Sequence, residues 1–120
     1  AGTSYAILVP KVDADGNDVA GVRSVAVQVP LATHTGWNQR RAGFMEDEFC
    51  NIRGSFIPFS KTAAERGGDP RPSLQERYGS HANYVAKVEE AAHKLVSERF
   101  LLPGDAERIV EEAKQRNLGF

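Results

Sequence analysis

Apolar and polar positions alternate in different rhythms along the two halves of the chain. Near the start, Tyr5-Ala6-Ile7-Leu8-Val9 is a short unbroken apolar run. Such a run reads as a buried strand, and Pro10 limits its pairing to an edge or an end. Val25, Val27 and Val29 then alternate with Ala26 and Gln28, a period of two that predicts a half-buried strand ended by Pro30. The two segments together predict an antiparallel pair joined by a long loop. Within that loop, residues 13–18 (Asp-Ala-Asp-Gly-Asn-Asp) have the chemistry of a turn, because Asp, Gly and Asn tolerate positive φ.

From residue 60 onward the rhythm changes. Thr62 to Arg66 predicts one helical turn stopped by Gly67-Gly68. Ser73-Leu74-Gln75-Glu76 fits a capping box that opens a short helix ending at Gly79. Ser80 can cap a longer helix, in which Tyr84, Val85, Val88, Ala91, Ala92, Leu95 and Val96 recur at threes and fours. Pro103-Gly104 interrupts this pattern, and Asp105 is placed to cap a last helix carrying Ile109, Val110 and Ala113. The expected class is therefore α+β: a short N-terminal antiparallel strand pair, a long irregular loop, and a C-terminal helical hairpin.

Between the halves, residues 31–58 show no sustained period but carry Trp37, Phe44, Phe49 and Phe56. A loop of that length in a compact domain is often functional or laid over another surface. Gly54-Ser55-Phe56-Ile57-Pro58-Phe59 reads as a short extended segment.

Composition adds bounds. At 120 residues the chain suits one small domain or segment, with a strand-and-loop half (1–59) and a helical half (60–120). The first half holds five Lys/Arg and six Asp/Glu and the second holds ten of each, so both are nearly neutral. A formal charge of −1 removes the basic surface that nucleic-acid binding relies on. No apolar run approaches the roughly 20 residues of a membrane-spanning helix. The expected partners therefore include neither nucleic acid nor membrane. The only Met is Met45, and an opening directly on a strand suggests that more sequence lies upstream.

Few residues carry obvious chemistry. Asp13, Asp15, Asn17 and Asp18 open like a calcium loop, but position six is Asp18 instead of Gly and position twelve is Ser24 instead of Glu. A plain polar turn is the better reading, and no metal site or cofactor is expected. The serine elbow G-x-S-x-G is absent, and no catalytic residue is assigned. His81 falls in the first turn of the long helix and His93 near its polar side, while Cys50 and His34 share the irregular segment with nothing to fix their distance. The richest stretch is Thr33-His34-Thr35-Gly36-Trp37-Asn38-Gln39-Arg40-Arg41. Its indole, amide and guanidinium groups could hold a planar, sugar-like or carboxylate group. His34, Trp37, Asn38 and Arg40 are the candidate ligand-binding residues. The plainer alternative is a packed Trp whose neighbours satisfy the loop backbone.

Several strings are together distinctive: Val9-Pro10-Lys11-Val12-Asp13-Ala14-Asp15-Gly16-Asn17, Val29-Pro30-Leu31-Ala32-Thr33-His34-Thr35-Gly36-Trp37-Asn38, Gly54-Ser55-Phe56-Ile57-Pro58-Phe59, and Gly68-Asp69-Pro70-Arg71-Pro72-Ser73-Leu74-Gln75-Glu76-Arg77-Tyr78. In this order they resemble the C-terminal region of a bacterial family of poorly characterised α/β-hydrolase-domain proteins several hundred residues long. The resemblance implies a parent that is a serine-type hydrolase of esters or related bonds, whose serine elbow and catalytic histidine lie upstream of the matching region. It implies that this segment is non-catalytic, packs on the hydrolase core, and contributes to the substrate pocket through the loop of His34 and Trp37. Three alternatives stay open: a stand-alone binding or assembly module, a small enzyme built on Cys50 and His34, and a homo-oligomer. Nothing in the sequence indicates a cellular compartment.

Overall fold

The computed structural model describes residues 2, 6, 8–46, 48–51 and 53–120. Its elements run α1 (Val25–Gln28), β1 (Ala32–Thr35), β2 (Asn38–Gln39), β3 (Phe49–Asn51), β4 (Ser55–Pro58), α2 (Ala63–Arg66), α3 (Leu74–Tyr78), α4 (His81–Ser97) and α5 (Pro103–Gln115). The class is mixed α+β, with two small antiparallel sheets preceding the longer helices.

The strand expected at residues 25–29 is instead one turn of helix. Val25 and Val29 satisfy both patterns, because they are two steps of a period-two repeat and also an i,i+4 pair. Both are 7% exposed and pack in the core beside α4. Tertiary burial thus overrides the strand preference of a β-branched run. Bonds from the Val27 and Gln28 N–H groups to the Ser24 carbonyl, and from the Gln28 side chain to the Arg23 carbonyl, close the turn. Of the strand expected at residues 5–9, Tyr5 and Ile7 lie outside the described residues, and Leu8 and Val9 are exposed and outside any strand. The antiparallel pairing falls later in the chain. β1 pairs with β4 in the register Ala32↔Pro58, Thr33↔Ile57, His34↔Phe56 and Thr35↔Ser55. β2 pairs with β3 inside the connection between them. The aperiodic stretch 31–58 is therefore a bent two-stranded ribbon of very short strands, turned at its tip by the Phe44 N–H to Arg41 carbonyl bond and by Met45 at φ 56°.

Gly54 is where the ribbon bends back into β4. A Cβ there would lie 1.9 Å from the Thr35 carbonyl oxygen, so only glycine permits this approach of two backbones. Gly54→Ala is expected to separate the Thr35/Ser55 end of the pair. Amide exchange measured along β1 and β4 should show protection lost at Thr35 and Ser55 first, and unchanged protection there would refute it.

The helical half follows its sequence signals closely. Thr62 caps α2 from its side chain. Ser73 and Glu76 complete a reciprocal capping box on α3, and Ser80 caps α4. α5 begins three residues earlier than expected, with Leu102 at the N-cap instead of Asp105 and Pro103 inside the first turn. Proline suits that turn because its missing N–H would have no helical partner there. Asp105 then lies inside the helix, where it pairs with Arg108. His81 at the start of α4 meets the carbonyl of Ala113 near the end of α5 at 3.0 Å, so the two helices run antiparallel. The core joins both to α1 and α3 through Val25, Val29, Tyr78, Val88, Leu95 and Val110 among others.

The molecule is extended. Its radius of gyration is 17.3 Å, against about 14 Å for a compact chain of this length. It exposes 8721 Å², against about 6,400 Å² for a folded monomer of this mass. Phe44, Met45, Phe49 and Phe56 on the ribbon are each more than half exposed.

Candidate functional site

The polar turn is built into the fold. Asp13 accepts the N–H groups of Asp15 and Asn17 on one oxygen and Arg23 on the other. Asp15 is held by both terminal nitrogens of Arg77, and its carbonyl accepts the hydroxyl of Thr33. Asn17 is fully buried. Its amide donates to the Ala32 carbonyl at 3.1 Å, and its oxygen accepts the His34 N–H at 2.7 Å. Those are the groups that β1 turns away from β4, so the side chain closes that edge as a third strand would. With these carboxylates occupied by guanidiniums and backbone, no cluster able to hold a metal occurs among the described residues.

The string around Arg71 and Arg77 also works structurally. The Phe59 ring meets two guanidiniums, Arg77 at 3.9 Å and Arg71 at 5.2 Å from its centre. Arg71 pairs with Asp69 and donates to the Thr33 hydroxyl and the Ile57 carbonyl. Tyr78 donates to the Pro30 carbonyl at 2.6 Å, and burial pushes its hydroxyl well above the ordinary range. One set of contacts thus joins the 13–18 turn, both strands of the β1/β4 pair, and α3.

Three carboxyls in this framework are stabilised in the charged form. The hydrogen bond from the Arg71 side chain holds Asp69 at about 2, below its ordinary 3.8. At Asp13 burial pushes upward, but the bonds from Asn17, Arg23 and Asp15 outweigh it and the net shift is down. The Ser73 hydroxyl and N–H lower Glu76 from 4.5. Because these values are depressed only in the folded chain, the unfolded chain takes up protons first as pH falls. Their stabilisation is complete above the ordinary values and is lost as pH drops from about 4.5 toward about 2. Urea midpoints should decline across that window, and less steeply in Asp69→Asn. Equal slopes in the two proteins would contradict the assignment.

The four candidate ligand residues are split up. His34 lies on β1, its ring edge-on to Phe56 at 5.3 Å and 73°. It lines a groove of about 260 Å³ whose apolar walls come from α1, α4 and α5. Trp37, Asn38 and Arg40 are not in that lining. Trp37 is 49% exposed, Asn38 pairs with Asn51 in the ribbon, and the Arg40 N–H donates to the Glu48 carbonyl. Cys50 is exposed on β3, in the other sheet from His34. No hydrogen bond joins the His34 ring to a serine, cysteine or carboxylate among the described residues. His93 is exposed.

Sequence reasoning missed polar residues that share the groove lining with His34: Tyr84 on α4, Glu112 on α5, and Arg116 just beyond α5. Tyr84 reads as one more core position in a helical stripe, and the two charges read as solvated. Burial raises the Tyr84 hydroxyl, with the Arg116 charge acting against it.

The family model described as "Alpha/beta hydrolase domain" matches residues 2–111. No curated protein and no solved structure matches the chain.

Proposed function

The chain belongs to the alpha/beta hydrolase domain family, and on that premise we propose that it is the non-catalytic C-terminal segment of a serine-type hydrolase acting on esters or related bonds. It packs on the hydrolase core and lends the wall around His34 to the substrate pocket. The observation that carries this reading is the surplus of surface. Exposure exceeds that expected for a folded monomer by about 2,300 Å², which is of the size buried in a substantial protein interface. The exposed ribbon aromatics supply an apolar face for such a contact.

The chain's own chemistry agrees. Catalysis by a serine or cysteine needs a nucleophile, a base and an orienting group in hydrogen-bonded sequence, and the His34 ring has no such neighbours among the described residues. The purified chain is expected to hydrolyse p-nitrophenyl acetate no faster than buffer does. Turnover abolished by His34→Ala would overturn the proposal.

A second reading, a stand-alone binding or assembly module, draws on the helical cluster. α1, α3, α4 and α5 share a hydrophobic core to which no described residue from 36 to 54 contributes. Size-exclusion chromatography separates the readings: a well-behaved monomer or a defined homo-oligomer favours the module, and a sticky, self-associating chain favours a segment lacking its core.

A further inference from the structure

The groove beside His34 has the makings of a ligand site. Val25, Val29, Val88 and Ile109 form apolar walls, and the polar groups gather among them from separate elements. At about 260 Å³ it has room for about nine water-sized groups.

Tyr84 supplies an independent sign. It is only 5% exposed, yet its hydroxyl makes no hydrogen bond to any described residue. Its neighbour Tyr78, packed edge-on against it at 5.2 Å, has its own hydroxyl satisfied by Pro30. Tyr84 is also part of the groove wall. A hydroxyl on a nearly buried side chain, without a partner among the described residues, is poised to bond something that enters the groove.

We propose that this groove binds a small branched or aromatic acyl group, its carbon skeleton against Val25, Val29, Val88 and Ile109 and its carbonyl oxygen facing the Tyr84 hydroxyl and the Arg116 guanidinium. His34 and Ser24 also line the groove. Glu112 also lines the groove, so a carboxylate would meet one cation and one anion there. The recognised feature is accordingly the uncharged carbonyl of an ester. The choice of an acyl ligand rests on the hydrolase reading, while the amphipathic character of the groove stands apart from it.

The test is titration of the intact chain with methyl benzoate and, separately, with benzoate, followed by amide chemical shifts. Saturable shifts centred on Val29, Val88 and Ile109 are expected with methyl benzoate, and weaker ones with benzoate. Tighter binding of benzoate than of methyl benzoate would overturn the assignment of an uncharged carbonyl. Tyr84→Phe should weaken binding about fivefold through loss of one hydrogen bond. Ala26→Trp, at an exposed position of the groove wall, should block binding while leaving the helical circular dichroism intact. Absence of saturable shifts with both probes, or binding indifferent to both substitutions, overturns the proposal. Because the readout is binding, it is decided separately from the ester-turnover assay. The groove inference can fail while the hydrolase reading stands, and the reverse.

Discussion

Asn17→Ala should destabilise the chain by about 3 kcal/mol, the largest single effect expected of an uncharged side chain here. The substitution deletes two hydrogen bonds and leaves the Ala32 carbonyl and the His34 N–H facing a buried gap. Each stranded polar group costs about 1–3 kcal/mol. At roughly 4 °C per kcal/mol for a domain of this size, the midpoint read by far-UV circular dichroism should fall by about 12 °C. Asn17→Asp sharpens the test. A carboxylate can still accept the His34 N–H but cannot donate to Ala32, so it should recover only part of the loss. A midpoint within a degree or so of the parent for Asn17→Ala would remove the edge-closing role.

Arg77→Leu comes next, at about 2–3 kcal/mol. The Arg77 and Asp15 side chains are 14% and 17% exposed, between the surface case worth under about 1 kcal/mol and the buried case worth about 3–5 kcal/mol. The substitution leaves Asp15 without its partner and removes one of the two guanidiniums stacked on Phe59. Because the loss is partly that of an uncompensated carboxylate, Asp15→Asn combined with Arg77→Leu should be less harmful than the sum of the single changes. A double-mutant cycle on urea unfolding measures this coupling. Strict additivity would mean that the pair contributes nothing jointly.

These two sites also mark the limits of what the chain discloses by itself. The helices announce themselves locally: Ser73 and Glu76 stand three apart, Ser80 precedes an unbroken stripe, and each capping bond forms within a few residues of its donor. The α+β class follows from such local signals. The partnership of Asp15 with Arg77 spans 62 positions, and Asn17 reaches β1 across 15. No periodicity links residues so far apart, so the turn was legible as a turn but not as the hub of the fold. Residues 25–29 fail for a different reason, since a five-residue stretch with Val at both ends fits either period and only contact with α4 decides between them. Of the candidate site, His34 was visible through its unusual neighbours. Tyr84 and Arg116 were not, because which way a helical residue faces depends on what packs beside it.

The ribbon has a practical consequence for anyone following this protein in solution. The sequence contains a single tryptophan, and it sits at the bend between β1 and β2, half exposed. Among the described residues, none from 36 to 54 belongs to the hydrophobic core. Indole fluorescence is therefore a local gauge. It registers the loosening of a peripheral ribbon, which can open at a lower free energy than the helices. Tyr78 and Tyr84 report on the interior instead. Melting curves taken by the two kinds of chromophore should not superimpose, and their separation in temperature measures how loosely the ribbon is tied to the rest.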